Sequence, residues 1–172
     1  MAAFFCALSL TGINSGSNGE SYLKSDEARW AKQLGVKQSY VREIVKTAGF
    51  SEDDQVRIDD LDLRHLSVRK HILLVTAAGE GHCLTLSVVA RKSGSIQKVW
   101  ELTEFPEGGG LCHDGARTGN FEVRATRSGV IIIDVPKDEN GNYVLDGIKH
   151  LVYKWNGEAY VLNEQQRRRL SQ

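Results

Sequence analysis

The apolar residues of this chain change their period near residue 54, and that change limits what it can fold into. Before it they recur at helical spacing: Val41, Ile44, Val45 and Ala48 fall at i, i+3, i+4 and i+7 on one face. After it they alternate. Val56 and Ile58 flank Arg57, Leu61 and Leu63 follow, and Leu84, Leu86, Val88 and Ala90 share one face of a run from Cys83 to Arg91. Helices first and strands afterwards read as an α+β fold, with a helical pair over residues 20–50 and an antiparallel β domain over 51–163.

In the helical part, Ser25 is the expected N-cap, followed by Asp26 and Glu27 in the favourable first turn. The helices stop at Leu34-Gly35 and Ala48-Gly49, with Phe50 placed for the apolar contact that accompanies a C-cap. In the β part, His71 to Ala78 is a buried strand bounded by Gly79 and Gly81. Ser93-Gly94-Ser95 turns the Cys83–Arg91 strand back into Ile96–Thr103, and Ser128-Gly129 joins Phe121–Arg127 to Val130–Val135. Asn156-Gly157 suits a two-residue type I′ turn, which pairs Trp155 with Glu158, Tyr153 with Tyr160 and Leu151 with Leu162. The face carrying Trp155, Tyr153, Tyr160 and both leucines is then core. These signals add up to an antiparallel meander of about eight strands, arranged as a sheet, a sandwich or a partly closed barrel. Residues 164–172, with Arg167 to Arg169, read as a polar basic tail.

The length suits one domain, or one domain with a helical appendage. Lys plus Arg and Asp plus Glu number 22 each, so net charge gives no reason to expect nucleic acid or an anionic membrane as the main partner. The apolar run Ala2 to Leu10 is far shorter than the ~20 residues that span a bilayer, so no stable membrane insertion is expected. It has the length and character of a signal-peptide core, although a basic leading region and a clean small-x-small site are missing. Residues 1–19 are therefore read as a signal-peptide remnant and flexible lead. Phe5 stands before Cys6 where a lipoprotein cysteine needs a small residue.

Cys83 and Cys112 are expected to form a disulfide that pins a glycine-rich loop, residues 105–120, to a strand. Closing such a loop stabilises a fold by roughly 3–4 kcal/mol in the chain-entropy treatment. Removal of Cys6 with a signal peptide would leave an even count, as suits an exported protein. Metal is the sharper alternative, because His82-Cys83 and Cys112-His113 supply ligand types that zinc accepts. Adjacent strand residues point to opposite faces, however, and cannot easily converge on one ion. Cys112 as a nucleophile with His113 or Asp114 is disfavoured in the same way, since the base must lie across a site. Free buried thiols are the remaining possibility. No cofactor and no metal site are expected.

Other motifs are weak. Asp138 to Asn142 places oxygens at alternate positions but has Tyr143 where a calcium loop needs glycine, so an Asn-Gly turn is the better reading. Asp59, Asp60 and Asp62 read as a solvated strand end, and Gly108 to Gly110 lacks the helix start of a phosphate loop. His65, His71 and His150 are isolated and read as structural or surface residues. No constellation supports a reaction class, so an enzyme is the least favoured reading.

Residues 31–45, from Ala31 through Gly35 and Val41 to Ile44, resemble the helix-turn-helix of bacterial DNA-binding proteins. That resemblance implies that Lys37, Gln38, Ser39 and Arg42 face a major groove, and a cytoplasmic regulator with this motif over 28–48 and a β-rich sensor domain is the alternative function. The chain as a whole is similar to small exported bacterial proteins of unknown function. The likeness lies in its short helical start, Gly81-His82-Cys83-Leu84-Thr85 on a strand, a second cysteine in a glycine-rich loop, and the closing hairpin from Tyr153 to Tyr160. It implies a secreted or periplasmic, non-enzymatic domain that binds a protein or a cell-envelope component. Loops on rigid scaffolds carry such binding. Leu111, His113, Asp114 and Arg117 are the candidate contacts.

Overall fold

A computed structural model describes residues 22–51, 54–68, 70–78, 83–103, 121–145 and 147–170. Two helices, α1 (Tyr22–Leu34) and α2 (Gln38–Ala48), precede eight strands: β1 (Gln55–Leu61), β2 (His71–Ala78), β3 (Cys83–Lys92), β4 (Ser95–Leu102), β5 (Glu122–Ala125), β6 (Ile131–Asp134), β7 (His150–Trp155) and β8 (Tyr160–Leu162). A short 3₁₀ turn, Arg64–Leu66, follows β1, and a third helix, α3 (Glu164–Leu170), follows β8. The strands form two antiparallel four-stranded sheets, each a meander in chain order, β1-β2-β3-β4 and β5-β6-β7-β8. The expected α+β class and meander are present, as two facing sheets.

Ser25 does not cap α1, which already runs from Tyr22; Tyr22, Leu23 and Lys24 are compatible with a helix and place Ser25 inside it. The second helix ends as expected. Gly49 takes the left-handed conformation at φ 92°, and its N–H and that of Phe50 reach back to the carbonyls of Lys46 and Val45. Arg42 Nε donates to both carboxylate oxygens of Glu27, at 3.0 and 2.8 Å, and ties α2 to α1.

The first sheet is covered on both faces. Val56 and Ile58 of β1, Ile72 and Leu74 of β2, and Val89 of β3 pack with Trp30, Leu34, Val41, Ile44 and Val45 of the helices. The opposite face, with Leu61, Leu73, Val75, Leu86 and Val88, meets Val123, Ile131, Ile133, Leu151 and Tyr153 of the second sheet. Strand alternation alone sends each set to its own side. On β3 the strand face opposite Leu84, Leu86 and Val88 carries Thr85 and Ser87, polar residues that suit a side open to a folded-back loop. Instead Ser87 is fully buried, and its hydroxyl donates to the Ala48 carbonyl of α2 at 3.4 Å.

The β3–β4 hairpin carries a bulge that periodicity did not signal. Val88 pairs with Trp100 while Val89 pairs with Lys98, so Val99 is the extra residue. The bulge lets Ile96 pack toward the helices while Val99, Trp100 and Leu102 pack toward the second sheet. Lys92 pairs with Ser95, and Ser93 (φ 52°) and Gly94 (φ 90°) form the two-residue turn with both φ angles positive.

The Asn156-Gly157 hairpin differs from expectation in its register. Trp155 pairs with Tyr160, Lys154 with Val161 and Tyr153 with Leu162, across a four-residue loop. Gly157 has φ 111°, but Asn156 is not among the residues of positive φ, so a type I′ turn is excluded. The Asn156 side chain instead accepts the backbone N–H groups of Glu158 and Ala159, each at 2.9 Å, while its own N–H donates to the Ala159 carbonyl at 3.0 Å. The shift is two residues, which preserves the face. Tyr153, Tyr160, Leu151 and Leu162 are all buried, as the aromatic face was expected to be.

Two contacts lock the sheets. Gly129 (φ 75°), in the β5–β6 turn, lies so close to Leu63 that a Cβ there would stand 2.0 Å from Leu63 Cδ2. Within the second sheet, the Gly129 carbonyl accepts the buried Tyr160 hydroxyl at 3.0 Å. The guanidinium of Arg57 on β1 also donates to the Val123 carbonyl of β5. Residues 164–170, read as a basic tail, form α3, in which Gln166 donates to the His150 carbonyl and accepts Val152 N–H at 2.9 Å.

Candidate functional site

Leu111, Cys112, His113, Asp114 and Arg117 lie outside the described residues, as do Cys6, His82 and Gly108 to Gly110. The expected Cys83–Cys112 pair is therefore half placed: Cys83 opens β3, opposite Ala78. The ends of the segment that carries Cys112 are well placed. Leu102, at the end of β4, packs against the core shared by the sheets, and Phe121, just before β5, is buried in it.

Most of the polar motifs resolve into local structure. Asp138 Oδ1 accepts the N–H groups of Asn140 and Asn142, at 2.9 and 2.8 Å, and Lys137 bridges to Tyr143 across the turn. The loop is thus closed by its own carboxylate. Asp59, Asp60 and Asp62 are each paired, with Arg57, Lys70 and Arg64 at 3.0, 2.9 and 2.5 Å. The Arg64 side-chain hydrogen bond holds the Asp62 carboxyl well below the usual range. His150 Nδ1 meets Asp134 Oδ1 at 2.5 Å on the outer side of the second sheet, where Arg124 also donates to Asp134. The hydrogen bond from Arg124 is the main cause, with that of His150 behind it, of an Asp134 pKa below the ordinary carboxylate value. Among the described residues no group of three or more His, Cys, Asp or Glu side chains could hold a metal ion. No helix among them is long and apolar enough to cross a membrane.

His71 is the exception to the isolated surface histidines. It is 3% exposed, at the start of β2, and its ring meets Trp155 edge-on with centroids 4.6 Å apart. Neither His71 Nδ1 nor Trp155 Nε1 has a hydrogen-bond partner among the described residues. Burial without a compensating partner disfavours the charged imidazole and pushes its pKa down from 6.5. Trp155 meets Tyr160 in turn at a tilt, with centroids 5.3 Å apart, and the Trp100 ring lies 5.4 Å from that of Tyr160 and 5.6 Å from that of Tyr153. This aromatic chain joins β2 and β4 of one sheet to β7 and β8 of the other. Beside it a cleft of about 580 Å³ is lined by His71, Trp155, Gln97, Lys92, Lys98 and Glu158, among others.

A second groove, of about 750 Å³, lies on the helical side of the first sheet, lined by Leu34, Val36, Lys37, Tyr40, Ile72 and Arg91, among others. Arg91, near the end of β3, borders both cavities. Lys37, Gln38, Ser39 and Arg42 are exposed. Sequence reading missed both cavities, because each is bordered by residues from elements distant in the chain. Only the apolar period that puts Ile72 beneath the helices gave any signal.

No family model, no curated protein and no solved structure matches this chain.

Proposed function

We propose that this chain is a non-enzymatic, exported binding domain, secreted or periplasmic, that engages a protein or cell-envelope component through residues 105–120. One observation carries the reading: the segment joins the edge strand of one sheet to the edge strand of the other, and both its ends are anchored by core residues, Leu102 and Phe121. A connection held at both ends on a rigid scaffold is a favourable place for recognition. The Cys83–Cys112 disulfide belongs to the same proposal. Leu86 pairs with Leu102, so the chain leaves β4 three residues from the level of Cys83, about 10 Å along the strand. The ten residues from Leu102 to Cys112 can extend over roughly 33 Å, which spans that distance easily.

Cell fractionation with intact-mass analysis tests this reading. The expected product is an exported chain, lacking its N-terminal apolar run, whose mass is lower by two hydrogens than after reduction. Alanine at Leu111, His113, Asp114 and Arg117 should leave unfolding unchanged and weaken retention on the envelope fraction or partner. A reduced, full-length chain confined to the cytoplasm would overturn the proposal. The exposure of Lys37, Gln38 and Ser39 at the start of α2 favours the DNA-binding regulator as the second reading. It requires duplex binding that weakens steeply with salt and with Lys37→Glu.

A further inference from the structure

The α1–α2 turn, the approach to β2 and the end of β3 surround the groove of about 750 Å³, a volume within the range of roughly 300–1,000 Å³ usual for small-molecule sites. Its floor is apolar. Leu34 and Ile72 are nearly buried, while Val36 and Tyr40 are partly exposed and pack at the margin of the helical core. Its rim is cationic, with Lys37 from the turn, Lys70 from the approach to β2 and Arg91 from β3. Glu43 is the one carboxylate among the described lining residues. The chain as a whole carries 22 cations and 22 carboxylates, so this imbalance is a local segregation of charge.

The three cations already hold partners to different degrees. Lys37 is exposed and has no ion-pair partner among the described residues. Lys70 pairs with Asp60 at 2.9 Å, but both side chains are more than a third exposed, and such surface pairs hold weakly. Arg91 Nε donates to the Gly94 carbonyl at 3.3 Å, which fixes its side chain near the hairpin end.

We propose that this groove binds a small amphipathic monocarboxylate, with its apolar body on Leu34, Val36, Tyr40 and Ile72 and its carboxylate at the Lys37–Lys70–Arg91 rim. Charge complementarity selects an anion, and the apolar floor selects a body that an inorganic anion lacks. Phosphate has the charge but no body to cover that floor, so it is expected to bind more weakly than an amphipathic carboxylate. The proposal uses no residue of 105–120, so it stands or falls independently of the function proposed above.

Titration of the full chain with sodium decanoate, followed by calorimetry and by backbone amide shifts, tests the proposal. Saturable binding is expected, with shifts clustered at Val36 to Tyr40 and at Ile72. Decanol, with the body but no charge, should bind about tenfold more weakly, the margin a charge-assisted hydrogen bond supplies. Acetate, with the charge but no body, should not saturate. Lys37→Glu should weaken decanoate about tenfold without changing thermal unfolding, and Glu43→Gln should strengthen it. The proposal is overturned by absent or unsaturable decanoate binding, by decanol or inorganic phosphate binding as tightly, or by a Lys37→Glu affinity equal to that of the parent.

Discussion

Gly129→Ala tests the way the two sheets are locked. The substitution acts through two separable effects. The first is conformational: φ 75° lies in the left-handed region, which costs an L-residue about 1–2 kcal/mol. The second is steric. The new Cβ would stand 2.0 Å from Leu63 Cδ2, a distance no packed pair tolerates, so Leu63 must leave its buried position or the β5–β6 turn must retreat. Overpacking of this kind costs about 1–3 kcal/mol. The expected loss is about 2–5 kcal/mol, a large fraction of the roughly 5–15 kcal/mol that holds a domain together. Gly94→Ala separates the effects, because Gly94 has φ 90° but nothing within 4 Å of a Cβ. It should lose only the conformational cost, about 1–2 kcal/mol. Urea unfolding monitored by tryptophan fluorescence reads both variants, with the slope against denaturant unchanged. The steric part must also depend on Leu63. In a double-mutant cycle, Leu63→Ala combined with Gly129→Ala should cost at least about 1 kcal/mol less than the sum of the two. Equal losses for Gly129→Ala and Gly94→Ala, or strict additivity with Leu63→Ala, would refute the reasoning.

The remaining predictions concern buried aromatic and imidazole groups and the docking of the last helix. Tyr160→Phe should cost about 1 kcal/mol by leaving the Gly129 carbonyl without its hydroxyl donor, whereas Tyr153→Phe should be neutral or stabilising, because its buried hydroxyl has no partner among the described residues. Burial pushes the Tyr153 phenol up to about 12, so Tyr153→Phe should remove a phenolate component that appears only at strongly alkaline pH in a spectrophotometric titration. Because burial lowers the His71 pKa, the unfolded chain takes up its proton first as pH falls through 6.5. The His71 contribution to stability is thus complete above that value and declines below it, and His71→Leu should flatten this limb of the stability curve measured from pH 8 to 5. Gln166→Ala should cost about 1 kcal/mol and speed hydrogen exchange at the Val152 amide, measured by NMR.

The division into a helical pair and a strand meander was legible because it depends on period alone. Val41, Ile44, Val45 and Ala48 are all buried against the first sheet, as their spacing required. Pairing register was less legible. Asn156-Gly157 has the composition of a type I′ turn, yet Asn156 uses its side chain to cap the loop, and Ser93-Gly94 adopts the two-residue turn instead. Local composition does not decide between a backbone and a side-chain solution to the same turn. The error preserved the core face because it was even, whereas the Val99 bulge is an odd step that moves Trp100 to the other side. The candidate cavities were illegible for a different reason. Their walls come from positions as far apart as Leu34 and Arg91, or His71 and Glu158, and nothing in either local pattern announces the partner.

Gln166 has a consequence beyond the strength of its two hydrogen bonds. β8 pairs with β7 from Tyr153 to Trp155 and Asn163 N–H still reaches the Val152 carbonyl, but the Val152 N–H and the His150 carbonyl would otherwise be an open donor and acceptor on that edge. The primary amide of Gln166 satisfies both, in place of the N–H and the carbonyl that two different residues of a neighbouring strand would supply. A side chain cannot propagate a ladder, so the sheet stops there. The C-terminal helix is thus a terminator of sheet growth. A chain cleaved before Glu164 would expose more of a β edge able to recruit strands from other molecules, and it would self-associate more readily than the intact chain.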